Sequence, residues 1–215
     1  METREMRLEA RFPTALIVSL LGLILVGCAD FHNPAFNAEV GANGATVLFV
    51  PFRESRKKLW HGESELGKRL VAAVKAWARE NAEEPSALEG RDLREVLEHV
   101  KDWTENRIRI SDWQSLAGGL GVKYVVEGDI VEFSLRNPKV YGVYDGRAVA
   151  EFRVINIVSG KLSYEGETRP ATYGKGRDMI TMDSPSSEND ARVTERLTSR
   201  LAAEIGRDLY GYYAD

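Results

Sequence analysis

The order of apolar and polar positions indicates an α/β domain that opens with a strand and continues with helices. Residues 45–51 are mostly apolar and end at Pro51, a pattern that predicts a buried strand of the parallel type, apolar on both faces. From Ser64 to about Ala82, apolar residues recur every three to four positions, which predicts an amphipathic helix capped by Ser64. A second helix of the same kind is predicted at about 91–103.

A short third helix is predicted to open at Ser111, because Ser111 and Gln114 have the spacing of a capping box. The glycine-rich run 118–121 follows this helix. It lacks the Lys-Ser/Thr pair of a phosphate-binding loop, and it follows a helix where such a loop precedes one. We interpret it as a helix C-cap and turn.

Long strands are predicted at 122–135 and 147–158, with Gly128 marking a bulge or a close crossing. A two-residue turn at Ser159-Gly160 is predicted to lead into a returning antiparallel strand at 161–168. Together these strands predict a sheet that mixes parallel and antiparallel neighbours.

The chain ends in a polar segment, 170–186, predicted as a loop, and a long helix that Ser187 is predicted to cap and that reaches about Tyr212. The helix has a buried stripe at every fourth position: Val193, Leu197, Leu201, Ile205 and Leu209. The predicted fold class is therefore α/β, with a single mixed sheet flanked by helices and a long C-terminal helix.

The first 28 residues follow a different pattern. Phe12–Val26 carries no charged side chain, and Cys28, the only cysteine of the chain, follows Gly27. An apolar run ahead of small residues is typical of a secretory signal, and this run is shorter than the roughly 20 residues of a spanning helix. An uncleaved membrane anchor is the alternative interpretation.

The residues Leu25-Val26-Gly27-Cys28 resemble the lipobox of a bacterial lipoprotein signal. The resemblance implies that residues 1–27 are removed and that the Cys28 thiol is acylated. The chain is then divided into a signal peptide at 1–27, the acylated cysteine with a flexible tether at 28–45, and an α/β domain at 46–215.

Composition narrows the function classes. The net charge is −4 and the pI is about 5.6, so the chain lacks the basic footprint of a nucleic-acid-binding protein. His99 has no partner at metal-ligand spacing, and no G-x-S-x-G elbow occurs. We expect no cofactor, no metal site, no small-molecule substrate and no catalytic residues.

Three segments resemble one envelope family: VLFVPF at 47–52, LGVKYVVEGDI at 120–130, and NIVSGKLSYEGE at 156–167. They resemble the lipoprotein superfamily that contains the penicillin-binding-protein activator LpoB and the curli secretion subunit CsgG, whose fold is shared with the amino-terminal domain of TolB. The resemblance covers about 46–212 and implies fold more than function. The connection at 136–146 is too short for the membrane-spanning hairpins of a channel subunit.

The resemblance implies a non-catalytic protein-binding, assembly or regulatory module, lipid-anchored and facing the periplasm. Ala29 rather than Asp follows Cys28, and by the enterobacterial sorting rule this resembles a lipoprotein carried to the outer membrane. Alternatives are a subunit of a curli-type secretion channel and an envelope hydrolase. The expected contact surfaces are two polar loops, 53–58 and 171–186. Their expected partner-binding residues are Arg56, Lys57, Lys58 and Arg177, although a solvated turn is the alternative for the first three.

Overall fold

The structure is a computed structural model that describes residues 46–55, 64–81, 108–136, 144–174 and 186–211. Within these ranges, six strands form one sheet that is flanked by three helices. The strands are β1 (Val47–Phe49), β2 (Arg53–Glu54), β3 (Tyr124–Ser134), β4 (Gly146–Asn156), β5 (Lys161–Glu167) and β6 (Ala171–Tyr173). The helices are α1 (Glu65–Asn81), α2 (Ile110–Gly118) and α3 (Ser187–Tyr210). The predicted α/β class is confirmed.

The sheet is organised around β3. On one side, β1 and β2 run parallel to successive parts of β3. On the other side, β4 is antiparallel to β3, and β5 and β6 pair with different parts of β4. The strand order β1-β3-β4-β5 therefore combines both kinds of pairing, which confirms the predicted mixed sheet.

Side chains that alternate along the strands divide the core into two parts. On one face, Val126 of β3 and Phe152 of β4 pack in a cluster that includes residues of α1 and α3. On the opposite face, Val125 and Ile155 pack with Trp113 of α2. β1 contributes to both clusters, so the predicted two-faced burial of the first strand is confirmed.

α3 buries the predicted stripe. Each of its five residues is at most 1% exposed, and burying a side chain of this size contributes about 1.5–3 kcal/mol. The N-cap of the helix is Ser186, one position before the predicted Ser187, because the Ser186 side chain accepts a hydrogen bond from the Asn189 amide. Two adjacent serines suit this role equally, and the extended backbone at Ser186 makes it the cap.

α1 begins where the sequence predicts. The Gly67 amide donates to Ser64 Oγ at 2.8 Å, which confirms Ser64 as the N-cap. The helix lies so close to the connection between β1 and β2 that a Cβ at Gly67 would be 1.8 Å from the carbonyl oxygen of Phe52. Glycine is required here by space, because no side chain fits between the two backbones.

The predicted capping box at Ser111 is wrong. α2 starts at Ile110 with Arg109 at the cap position, and no side chain caps it. Ser111 consequently lies inside the first turn, while the Gln114 amide donates to the Ile157 carbonyl at 3.0 Å. The Gln114 side chain therefore bonds to the β4–β5 connection, and not to the backbone at the start of α2 as the capping box predicts.

The glycine run behaves as predicted. α2 ends at Gly118, Gly119 is its C-cap, and the amide of Val122 bonds back to Ala117. Gly121 has φ +70°, a backbone conformation that favours glycine. The C-cap and turn interpretation is confirmed.

The predicted two-residue hairpin turn is wrong. β4 ends at Asn156 and β5 begins at Lys161, which leaves a four-residue connection. The Asn156 carbonyl accepts from the Gly160 amide at 2.9 Å, and the Asn156 side chain accepts from the Ser159 amide. The asparagine side chain therefore organises a longer turn than the Ser-Gly pair alone suggests.

The polar segment predicted as a loop contains a strand, since Ala171–Tyr173 pairs with the start of β4. The predicted close crossing at Gly128 is confirmed, because a Cβ there would be 2.4 Å from the Phe52 ring. The bulge lies elsewhere, between Ile130 and Glu132. The helix predicted at 91–103, with His99, lies outside the described residues.

Candidate functional site

A charged row runs along one face of β3. Glu127 and Asp129 are two positions apart and thus share this face, where they are 2% and 7% exposed. Arg153, opposite Glu127 on β4, donates from Nε to Glu127 Oε1 at 2.5 Å. Arg53 on β2 donates to both carboxylate oxygens of Asp129 at 2.6 Å. The arginines come from the strands on either side of β3 and neutralise the two carboxylates of this row.

α2 is joined to this row by polar contacts. Trp113 Nε1 donates to Glu127 Oε2 at 3.0 Å, and Arg153 donates to the Ile108 carbonyl just before the helix. Burial raises the pKa of the Glu127 carboxyl, while Arg153 and Trp113 act in the opposite direction. Both carboxylate oxygens accept hydrogen bonds, one from Arg153 and one from Trp113, so this group orients α2 on the sheet.

A second polar cluster joins the other end of the sheet to α3. The hydroxyl of Tyr144, which is 2% exposed, donates to Asp190 Oδ1 at 2.5 Å. Arg136 pairs with the same carboxylate, and its guanidinium lies 5.0 Å from the centre of the Tyr144 ring. The Tyr144 hydrogen bond, followed by Arg136, holds the pKa of Asp190 below its ordinary value. These contacts attach the first turn of α3 to the ends of β3 and β4.

β5 is the edge of the sheet as far as the described strands show, because it pairs with β4 alone. Five of its seven residues are exposed. The Thr168 amide donates to the Ala150 carbonyl at 2.8 Å. Antiparallel pairs alternate between bonded and non-bonded positions, so the neighbouring pair Glu151–Glu167 is non-bonded. The backbone N–H and C=O of Glu167 therefore point away from β4, toward the edge.

The side chains at this edge are polar and acidic. Glu165 and Glu167 are exposed, and Glu151 lies next to Glu167 across the β4–β5 pair. A register shift at Ser163 separates this acidic part of β5 from its first two residues. The edge thus has an acidic, regular segment that can receive an extended peptide along its backbone.

The residues expected from sequence to bind a partner or lipid are not part of these arrangements. Cys28, Arg56, Lys57, Lys58 and Arg177 all lie outside the described residues. The expected basic loop surface began at Arg53, and this boundary is wrong. Arg53 belongs to β2 and is ion-paired with Asp129 because its strand continues the sheet beyond Pro51.

The charged row and the β5 edge were missed at the sequence level. A signal for the row exists in residues 125–130, where Glu127 and Asp129 alternate with apolar positions at the period of a strand. Arg153 occupies a similar position within an apolar stretch of β4. The register that brings Arg153 opposite Glu127 cannot be read from either stretch alone.

Two further features of the described ranges concern membranes and metals. None of the helices in these ranges has the length and apolar content that crossing a bilayer requires. In the same ranges, no group of three His, Cys, Asp or Glu side chains is arranged to hold a metal ion.

No protein-family model and no curated protein sequence matches this chain. Solved structures do match. The hypothetical protein CT253 from Chlamydia trachomatis is 15% identical, with 75% of this chain and 97% of that chain covered and a TM-score of 0.39. The lipoprotein GNA1162 from Neisseria meningitidis is 13% identical, with 74% and 99% covered and a TM-score of 0.44.

The C-terminal domain of LpoB from Salmonella enterica is also similar to this chain. It is 13% identical, with 58% of this chain and 80% of that chain covered and a TM-score of 0.36. Lipoproteins and an LpoB domain are thus among the solved structures that this chain matches. Identities and TM-scores this low do not transfer a function to it.

Proposed function

We propose that this chain is a lipid-anchored protein of the bacterial envelope whose α/β domain binds a protein partner along β5 and catalyses no reaction. The anchor is the acylated Cys28, supported by the lipobox Leu25-Val26-Gly27-Cys28. The domain faces the periplasm at the outer membrane, as the resemblance of Ala29 after Cys28 to outer-membrane lipoproteins implies. The partner is a cell-wall synthase or a component of a secretion or transport machine.

The observation that carries the partner-binding proposal is the direction of the Glu167 backbone groups. They point toward the edge of the sheet, so an extended segment of a partner can continue the hydrogen-bonded ladder there. Backbone hydrogen bonds contribute affinity in this mode, and side chains contribute specificity. Because Glu167 is exposed beside this edge, the partner segment is expected to carry a basic residue next to it.

The sequence-based contact residues remain part of the proposal. Arg56, Lys57 and Lys58 form a basic cluster that suits an acidic partner surface, and Arg177 lies in the second polar loop. Photocrosslinkers at Arg56 and Arg177 test these loops independently of β5. Capture of the same partner from both loops and from β5 would define one continuous interface.

The edge is tested by one pair of variants in the full chain. Glu167→Pro removes the outward N–H, while Glu167→Ala removes only the carboxylate, and proline is tolerated at edge positions whose N–H faces outward. With a photocrosslinker at Ser163, we expect the partner adduct in cells to be lost in Glu167→Pro and retained in Glu167→Ala. Equal adduct yields in two folded variants would contradict binding by strand addition.

The anchor is tested separately. Cys28→Ser is expected to abolish metabolic labelling with palmitate and to release the protein from the membrane fraction. Undiminished labelling of this variant would contradict acylation at Cys28. Since the anchor and the edge are probed by different variants, either half of the proposal can fail without the other.

A further inference from the structure

The connection between β4 and β5 exposes apolar side chains. Val158 is 78% exposed and Leu162 is 41% exposed, and these are the exposed large hydrophobic residues of the described ranges. We refer to residues 156–162 as the hairpin tip. Single exposed apolar residues are common on protein surfaces, so the surroundings of the tip decide whether these two have a role.

The hairpin tip lies at the end of the sheet where the domain begins. The Lys123 amide donates to the Thr46 carbonyl at 2.9 Å, and the Ile157 amide donates to the Lys123 carbonyl at 2.8 Å. Thr46, Lys123 and Ile157 therefore form one row across neighbouring strands. The chain enters the domain at Thr46, so the segment that leads back to Cys28 starts from the same end as the tip.

Two lysines lie at this end of the sheet. Two segments meet here, residues 118–124 and the hairpin tip, and they contain Lys123 and Lys161 without any acidic residue. Both lysines are exposed. Exposed apolar side chains flanked by lysines are the combination with which proteins contact anionic lipid surfaces, where the apolar groups enter the headgroup boundary and the lysines remain among the phosphates.

We infer that the hairpin tip docks on the anionic lipid surface that holds the acyl anchor of the same chain. The inference rests on the proposed acylation of Cys28. Eighteen residue steps separate Cys28 from Thr46, and the flexible tether predicted from sequence would have a root-mean-square span of about 21–25 Å at this length. The anchor thus keeps the lipid surface at high effective concentration around the tip.

The size of the patch favours lipid over a protein partner at this end. A stable protein interface buries about 800 Å² on each partner, far more than a seven-residue hairpin tip can supply. A domain that is already tethered needs only a weak additional contact to acquire an orientation. Each lysine near an anionic surface is expected to shift the docked population about fivefold.

Docking sets the orientation of the domain. With the tip on the membrane, the opposite end of β5, near Glu167, is directed away from the lipid. The proposed partner edge would then be presented to the periplasm at a defined height. Lipid docking and partner binding would use opposite ends of a single strand.

The test uses the full-length, acylated chain in vesicles that contain phosphatidylcholine with or without phosphatidylglycerol. A nitroxide is attached at Ser159→Cys, which keeps Val158 in place, or at Glu167→Cys as the matched control on the same hairpin. Acylation blocks the thiol of Cys28, and a mass spectrum confirms one acylated cysteine and one label. Collision of each nitroxide with a water-soluble nickel chelate reports its shielding by lipid.

We expect shielding at position 159 in vesicles with phosphatidylglycerol, and none at position 167. Val158→Ser combined with Leu162→Ser should remove the shielding, and Lys123→Glu combined with Lys161→Glu should also remove it. All four residues are exposed, and thermal unfolding checks that the variants are folded. Since the two pairs act through different chemistry, one pair remains informative if the other does not fold.

Equal chelate access at both positions in chains that are acylated and float with the vesicles would overturn the inference. Shielding that grows with the protein-to-lipid ratio would identify a second copy as the occupant, and shielding that appears only with added envelope protein would identify a partner; each overturns lipid docking. Failure of the anchor itself looks different, because the chain then carries no acyl mass and does not float.

Discussion

Trp77 of α1 packs its ring directly onto Gly206 of α3. A Cβ at Gly206 would lie 2.1 Å from Trp77 Cε3, which is far inside van der Waals contact. The absence of a side chain in the interior of α3 is what allows the two helices to approach here. The contact joins the helix that follows β2 to the helix that ends the domain, on the face of the sheet with the larger core cluster.

Gly206→Ala should therefore destabilise the domain, although alanine is the better helix former by about 1 kcal/mol. Overpacking of this kind costs roughly 1–3 kcal/mol, because the rigid indole has to move. Chemical denaturation measures the change in free energy of unfolding. Gly119→Ala is the control, since Gly119 has helical backbone angles and a Cβ added there would have no side-chain atom within 4 Å. A stabilised Gly206→Ala variant would contradict the close contact.

The Glu127–Arg153 pair should show strong coupling in a double-mutant cycle. Glu127→Gln leaves the guanidinium of Arg153 without its counter-charge in a buried site, and breaking such a pair costs about 3–5 kcal/mol. The double variant with Arg153→Gln should cost less than the sum of the two single variants. The Glu132–Arg147 pair on the same two strands is more exposed and is the control, with an expected coupling of about 0–1 kcal/mol. Additive costs at Glu127 and Arg153 would show that the two residues act independently.

Asp190 should make stability depend on acid pH. Its pKa in the folded state is below the ordinary value of 3.8, so the unfolded chain binds the proton more readily. The contribution of Asp190 to the stability of the folded state is complete at pH values above its ordinary pKa. It is lost as the pH falls through the lowered pKa of the folded state. The stability difference between wild type and Asp190→Asn should therefore shrink at the acid end.

Tyr144→Phe sharpens this test, because the Tyr144 hydroxyl is the largest cause of the lowered pKa. In this variant the pKa of Asp190, followed by NMR titration of its carboxyl carbon, should move up toward 3.8. Glu188→Gln is the control for Asp190→Asn, because it also removes a negative charge from the first turn of α3. An Asp190 titration that is unchanged in Tyr144→Phe would mean that the hydrogen bond does not hold the carboxylate.

Local patterns in the sequence determined the main elements. The stripe from Val193 to Leu209 identifies α3, because residues four apart lie on one helix face whatever the rest of the chain does. The cap at Ser64 and the helix end at Gly118 are equally local, since each depends on backbone groups within a few residues. These features need no knowledge of distant contacts, and the sequence therefore predicted them correctly.

Cross-strand register decided what the sequence could not. Arg153 meets Glu127 only because β4 pairs with β3 in one alignment, and the outward direction of the Glu167 backbone follows from the same alignment carried into β5. Gln114 leaves its predicted capping role for the carbonyl of Ile157, a partner 43 residues away. The lipidation of Cys28 remains a prediction from sequence. The register of the strands depends on the packing of many residues that are far apart in the sequence. The partners of side chains that bond across the sheet are therefore decided only by the tertiary structure.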